Sequence, residues 1–204
     1  LWLAKLPMPQ PRDHVVLVNV AASPIHLSDL GLMIGVADAS TAQASERDGL
    51  PLLTMEVSAA GMRAMAGRLG EALPIGNEGS GVVVATGSSP EAQALLGKTV
   101  AMFGGAMFAE YRCVPAQMCM ELPDGTDPKD GASCFVNPLT ALGFVETARM
   151  EGHAAIVHTA AASNLGQMLN RICIADGVPL ICVVRNAEQV ALLKGQGATY
   201  VLDS

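Results

Sequence analysis

Residues 154–185 read AAIVHTAAASNLGQMLNRICIADGVPLICVVR. The stretch holds an apolar run, a turn of small residues, an amphipathic segment, and a second apolar run ending in a cation. Residues 154–158 have the short, continuous apolar character of a strand buried on both faces of a parallel sheet. Leu165, Met168, Leu169, Ile172 and Cys173 recur at i, i+3, i+4, i+7 and i+8 and form one stripe of a helix. Residues 180–184 (LICVV) are apolar again and partly β-branched, which predicts a second strand. Strand, helix and parallel strand make a right-handed crossover unit.

The turn of that unit opens a helix, and the N–H groups of a helix N-terminus suit a pyrophosphate. A dinucleotide-binding turn ordinarily carries G-x-G-x-x-G. Here it reads TAAASNLG from Thr159 to Gly166, so Gly166 is the one glycine kept. Alanines still allow close backbone approach, and Ser163 or Asn164 can cap the helix. Arg185, at the end of the second strand, stands where an NAD site carries an acid for the ribose hydroxyl and an NADP site an arginine for the 2′-phosphate. The expected cofactor is therefore NADPH. A plain buried crossover with a solvated Arg185 is the competing reading.

Composition narrows the classes. Of 204 residues, 50% are hydrophobic, 15% charged and 21 glycine, which fits a folded α/β protein. A net charge of −7 argues against nucleic acid or an anionic membrane as partner. No apolar run is long enough for a membrane span. Residues 1–14 have neither the charge pattern nor the apolar core of a signal peptide. The five cysteines form no C-x-x-C pair and suit a reducing cytoplasm. Cys173 and Cys182, on the predicted helix and strand, read as small buried hydrophobes.

Upstream, residues 15–20 (VVLVNV), 82–85, 99–103 and 108–114 read as strands between Gly/Pro turns. Residues 36–73 are rich in Ala, Met and Gly and contain no aromatic. Within them Met62, Met65, Ala66 and Leu69 fall at helical spacing behind Ser58, a candidate N-cap, and a Met stripe of this kind reads as core packing. Residues 128–135 and 138–150 read as helical, interrupted at Asn137-Pro138. Residues 187–196 predict a further helix, and 199–202 a third strand. Strands with turns fill about the first 125 residues and βαβ texture the rest, so two domains are expected, 1–130 and 131–204.

In order along the chain stand GNEGSGVVVATG (76–87), GGAMFAEYR (104–112), LPDG (122–125), FVNPLTA (135–141), AAASNLGQ (160–167) and VVR (183–185). This succession resembles the medium-chain dehydrogenase/reductase superfamily, and within it the zinc-independent quinone oxidoreductases and trans-2-enoyl thioester reductases. The resemblance implies a GroES-like β-rich domain joined to a Rossmann domain, with only the first half of the Rossmann sheet present. It also implies NADPH as cofactor, hydride transfer to an activated C=C or a quinone-type acceptor, and a homodimer. Carried over by position, Asn137 and Thr140 would line the nicotinamide and ribose. Ser163, Asn164, Leu165 and Gly166 would contact the pyrophosphate, and Arg185 with Asn186 the 2′-phosphate. Without the resemblance, Asn137 reads as a turn residue, Thr140 as a helix-cap hydroxyl and His158 as a histidine that packs or hydrogen-bonds locally.

Zinc-using members place a Cys early in the substrate domain and a His just before the acid of a second motif. Here those stretches read His26-Leu27-Ser28-Asp29 and Gly76-Asn77-Glu78. Amide is a poor zinc ligand, and His26 with Glu78 cannot close a three-ligand site, so no metal is expected. Enoyl reductases of this branch also use a tyrosine shortly after the position of Asp29, yet no tyrosine lies between Asp29 and Glu78. Residues 36–73, an insertion against the family pattern, occupy that place. The catalytic residue stays open: Ser40, Thr41 or Glu46 of the insertion, or a proton from solvent, with Tyr111 reading as part of a structural strand. The sheet would need three further strands, which makes this the expected N-terminal portion of a larger subunit. A zinc-type alcohol dehydrogenase and a catalytically silent NADPH-binding sensor or structural member are the alternatives.

Overall fold

A computed structural model describes residues 1–204, which form two compact units, Leu1–Ala132 and Ser133–Ser204. The first unit runs β1 (Val15–Ala22), α1 (Leu27–Met33), β2 (Ala37–Arg47), β3 (Leu50–Val57), α2 (Ala59–Ala64), β4 (Glu78–Thr86), α3 (Pro90–Gln93), β5 (Thr99–Phe103), β6 (Tyr111–Pro115), β7 (Cys119–Glu121) and α4 (Pro128–Gly131). Its main sheet has the order β6-β1-β4-β5-β7, antiparallel throughout. Val16, Val18, Val83, Val100, Met102 and Val114 bury the inner face, the alternation expected of a half-buried antiparallel sheet.

Residues 36–73 differ from the reading above. Most of the segment is a hairpin, β2 paired with β3, whose two-residue loop is Asp48-Gly49. Both loop residues have positive φ, +53° and +72°, which is what a tight hairpin turn with right-handed strand twist requires. A bulge sits between Asp38 and Gln43. The N-terminus adds a third line of hydrogen bonds through Leu3 N–H to Pro51 O (3.1 Å) and Leu53 N–H to Leu1 O (2.7 Å). Arg47 lies 5.6 Å over the Trp2 ring.

The methionine stripe is not core. Ser58 does cap α2, accepting from Gly61 N–H at 3.1 Å. The helix ends at Ala64, however, and a 3₁₀ turn follows, so the 3.6-residue spacing does not carry through to Leu69. Met62 and Leu69 are exposed, and Gly61 is the one buried residue of α2.

The second unit runs α5 (Val136–Met150), β8 (Ile156–His158), α6 (Asn164–Asp176), β9 (Leu180–Val184), α7 (Ala187–Gly195) and β10 (Tyr200–Asp203). Its three strands are parallel in the order β10-β9-β8. That is the strand arrangement of the first half of a Rossmann sheet. Central β9 buries one face through Leu180, Cys182 and Val184, with Ile181 and Val183 half-buried on the other, and Ala141, Val145, Leu169, Cys173 and Leu193 join the core from the helices. Cys173 and Cys182 are packing residues, as their apolar neighbours suggested.

Two helical expectations are corrected. The first helix is one turn, Pro128–Gly131, rather than 128–135. The second starts at Val136 and runs through Asn137-Pro138 without interruption. Pro138 is its third residue, where the N–H it lacks would have no partner inside the helix.

Candidate functional site

The second unit brings Ser163–Gly166, which follow β8, and Arg185 with Asn186, which follow β9, to one end of its parallel sheet. Ser163 caps α6, its hydroxyl accepting from Gly166 N–H at 3.1 Å. The amides of Asn164 and Leu165 donate to no group of the chain and stand at the first turn of a 13-residue helix. Together with the helix dipole they form a seat for an anion. Gly166 is buried, and a Cβ there would run into the backbone carbonyls of Ala160 and Ala161. Its lack of a side chain is what lets the turn fold so closely onto the helix start.

At the end of β9, Arg185 is exposed and makes no ion pair; its backbone N–H donates to Gln189 Oε1 at 3.0 Å. Asn186 caps α7, accepting from Gln189 N–H at 2.9 Å. Asn137 and Thr140 lie in the first turns of α5, on another element of the same unit. Thr140 is no cap: its hydroxyl donates back to Val136 O at 2.6 Å. The residues present fit a dinucleotide phosphate, with free amides, a capping hydroxyl, a close-packed glycine and an unpaired guanidinium.

His158 ends β8 with Nε2 buried and unpartnered, its ring tilted against Phe144 at 6.0 Å between centroids. Burial lowers its pKa, so the ring is neutral near pH 7. Asn170 is a polar residue on the buried side of α6 that the periodicity reading passed over; its Nδ2 is buried without a partner. Burial pushes the Cys119 thiol up to about 11 and raises those of Cys113, Cys173 and Cys182, which makes all four poor nucleophiles at neutral pH.

A polar cluster occupies the first unit where α1 meets the start of β4. His26 Nε2 lies 2.5 Å from Glu78 Oε1, with the His26 side chain 11% exposed and that of Glu78 fully buried. Asp29, also fully buried, takes the His26 backbone N–H on Oδ2 at 2.8 Å, and its Oδ1 is unpartnered. Asn77 donates through Nδ2 to Ser28 Oγ at 2.8 Å. The Asn77 carbonyl accepts from Gly104 N–H (3.4 Å) and Gly105 N–H (3.3 Å). Gly104, Gly105 and Ala106 have φ of +142°, +79° and +60°, a left-handed run ending on a non-glycine residue. Such strain concentrates at functional sites.

The three insertion candidates do not join this cluster. Ser40 donates its N–H and hydroxyl to Asp38 Oδ1, which holds that carboxyl below its usual range. Thr41 donates to Asp38 O and accepts from Glu56 N–H, so both hydroxyls are engaged in shaping the hairpin bulge. Glu46 is exposed on β2. The Ser28–Asn77 pair went unread because its members are 49 residues apart, and the sequence signals for each concerned zinc.

No protein-family model matches the chain. Bovine prostaglandin reductase-3 is 34% identical over 128 residues, covering 60% of this chain and 32% of that protein. A Mesorhizobium loti protein assigned as an NADPH:quinone reductase superposes with a TM-score of 0.71 at 32% identity, over 97% of this chain and 50% of that one. The chain is thus similar to zinc-independent reductases of the medium-chain dehydrogenase/reductase superfamily. The quinone oxidoreductase of Escherichia coli shares the fold at 17% identity, TM-score 0.68, over 98% of this chain and 53% of that one. The chain thus spans about a third of the length of this curated relative and half of these solved structures. Its architecture is the superfamily's GroES-like β-rich unit followed by the first half of a Rossmann sheet.

Proposed function

We propose that the protein is an NADPH-dependent oxidoreductase that delivers hydride to an activated C=C or a quinone-type acceptor without zinc. One observation carries this: the free amides of Asn164 and Leu165 at the start of α6, at the same end of the sheet as the unpaired Arg185. In this reading the unit Ser133–Ser204 holds the cofactor and the unit Leu1–Ala132 serves the substrate. Ser163, Asn164, Leu165 and Gly166 hold the diphosphate, Arg185 and Asn186 the 2′-phosphate, and Asn137 and Thr140 the ribose and nicotinamide. NADPH when bound supplies the hydride; the chain's own residues bind, orient and polarise. Support comes from the relatives' names, prostaglandin reductase and NADPH:quinone reductase.

The zinc-free reading rests on the donor set of the first unit. An imidazole already bonded to a carboxylate, a hydroxyl and a carboxamide are a poor match for zinc. Membership of a homodimer and residence in a reducing cytoplasm belong to the same proposal, the latter supported by five cysteines without a disulfide. No helix is long and apolar enough to cross a membrane.

The test is nucleotide preference with acceptor turnover. The full chain is expected to bind NADPH, prefer it to NADH, and oxidise it with an enone or a quinone. Arg185→Asp should weaken NADPH far more than NADH. Equal loss for both would remove Arg185 from the site. Tight NADPH binding with no turnover on quinones, enals or enoyl thioesters would make the chain a silent binder.

A further inference from the structure

Gln167 follows Gly166 in the first turn of α6, and its side chain folds back onto the turn that precedes the helix. Its Nε2 donates to the Ala162 carbonyl at 3.0 Å. The other end of the same carboxamide is held too. Gln196, at the C-cap of α7, donates through Nε2 to Gln167 Oε1 at 2.7 Å. Both side chains are half-buried. Gln196 Oε1 is buried without a partner, so the bond to Gln167 is the one this carboxamide makes.

The peptide joining Ala162 to Ser163 is thereby tied at both ends. Its C=O accepts from Gln167, and its N–H, that of Ser163, donates to Ala160 O at 3.0 Å. Ser163 is the cap of α6, and the free amides of Asn164 and Leu165 come directly after it. Turning that peptide over would displace the cap and bring a carbonyl dipole, negative end first, toward the seat of the anion. Donors fixed before the ligand arrives need little reorganisation to receive it.

We infer that Gln167 is a positioning residue for the cofactor's diphosphate and that Gln196 acts through it. The inference rests on the NADPH reading above and goes beyond it: a side-chain brace from α6 and α7 stands in for the glycines that the turn lacks. The plain alternative is a packing bond between two helices that supports stability alone.

The experiment titrates the full chain with NADPH and with 2′-AMP, which carries the 2′-phosphate but no diphosphate. Methionine replaces glutamine because it keeps the length of the side chain and cannot hydrogen-bond in its place. Gln167→Met should bind NADPH about 3- to 10-fold less tightly and 2′-AMP unchanged. Gln196→Met should lose less, and the double variant no more than Gln167→Met, since the two residues act in series. Melting temperature separates the two readings. Gln167→Met strands a buried carboxamide and should melt lower, whereas the double variant removes both polar groups and should recover. NADPH affinity should stay low in the double variant despite that recovery. Affinity that returns with the melting temperature, or an equal loss for 2′-AMP, would reduce the pair to a packing bond. Wild-type NADPH affinity in Gln167→Met overturns the inference and leaves the cofactor reading standing. A wild-type chain that binds neither ligand overturns that reading, and this inference with it.

Discussion

Glu78 has no exposed side-chain surface, and its carboxylate meets the His26 imidazole at 2.5 Å. Removing one partner of a buried pair strands the other, at a cost of about 3–5 kcal/mol. His26→Ala should therefore lower urea-measured stability by about 3 kcal/mol, more than any substitution of an exposed residue nearby. His158 predicts a pH effect. Burial lowers its folded-state pKa below the ordinary 6.5, so below that pH the unfolded chain binds the extra proton first. Its contribution to stability is thus present above about pH 6.5 and declines as pH falls toward the folded pKa. His158→Gln should flatten the change in melting temperature between pH 7 and 5; an unchanged slope would mean that the ring is already solvated. At Gly166 a side chain would strike the Ala160 and Ala161 carbonyls, so Gly166→Val should disturb the turn itself and remove nucleotide binding along with it. Much of this was readable in the sequence where the partners are local. Ser163 precedes its helix by one residue, so capping chemistry offered it, alongside Asn164, as the cap; Asn186 entered only through the family resemblance, and its cap on α7 went unread. Ser28 and Asn77 meet across 49 residues, and nothing local announces such a bond.

At the level of elements, β9 and β5 were legible because they are short apolar runs with sharp borders, whereas β8 takes only Ile156–His158 of the expected 154–158 and leaves Val157 exposed instead of burying it on both faces. Residues 180–184 and 99–103 read from the sequence match β9 and β5 end to end. The hairpin was not. β2 reads ADASTAQASER, with little alternation and one β-branched residue, and 9 of its 11 residues are exposed. Tertiary pairing with β3, not β propensity, makes it a strand. The signal that could have found it is Asp48-Gly49, a turn pair that demands φ > 0 at both positions. Gly49→Val should strain that turn by about 1–2 kcal/mol and speed amide exchange at Leu53 and Thr54. If exchange there is unaltered, the N-terminal segment rather than the turn holds the hairpin. Deleting 36–73 asks a different question, since a loss confined to acceptor range would give the hairpin a role at the substrate.

For the molecule as a whole, ordered motifs carried more information than any single one. The turn at 159–166 keeps one glycine of the usual three, yet the structure still places a capped helix with two free amides after the strand. Small residues preserve the backbone path that glycines ordinarily secure, and in the proposed function the charge at Arg185 would supply the selectivity. The function of the protein then depends on whether a diphosphate occupies that helix start with a 2′-phosphate at Arg185. Calorimetric titration of the full chain with NADPH and NADH measures this directly. The expected result is binding of both, NADPH tighter by about 10- to 100-fold through its charged contact with Arg185, and no such difference in Arg185→Asp. Absence of heat with either nucleotide, at concentrations where the chain is folded, would contradict the account.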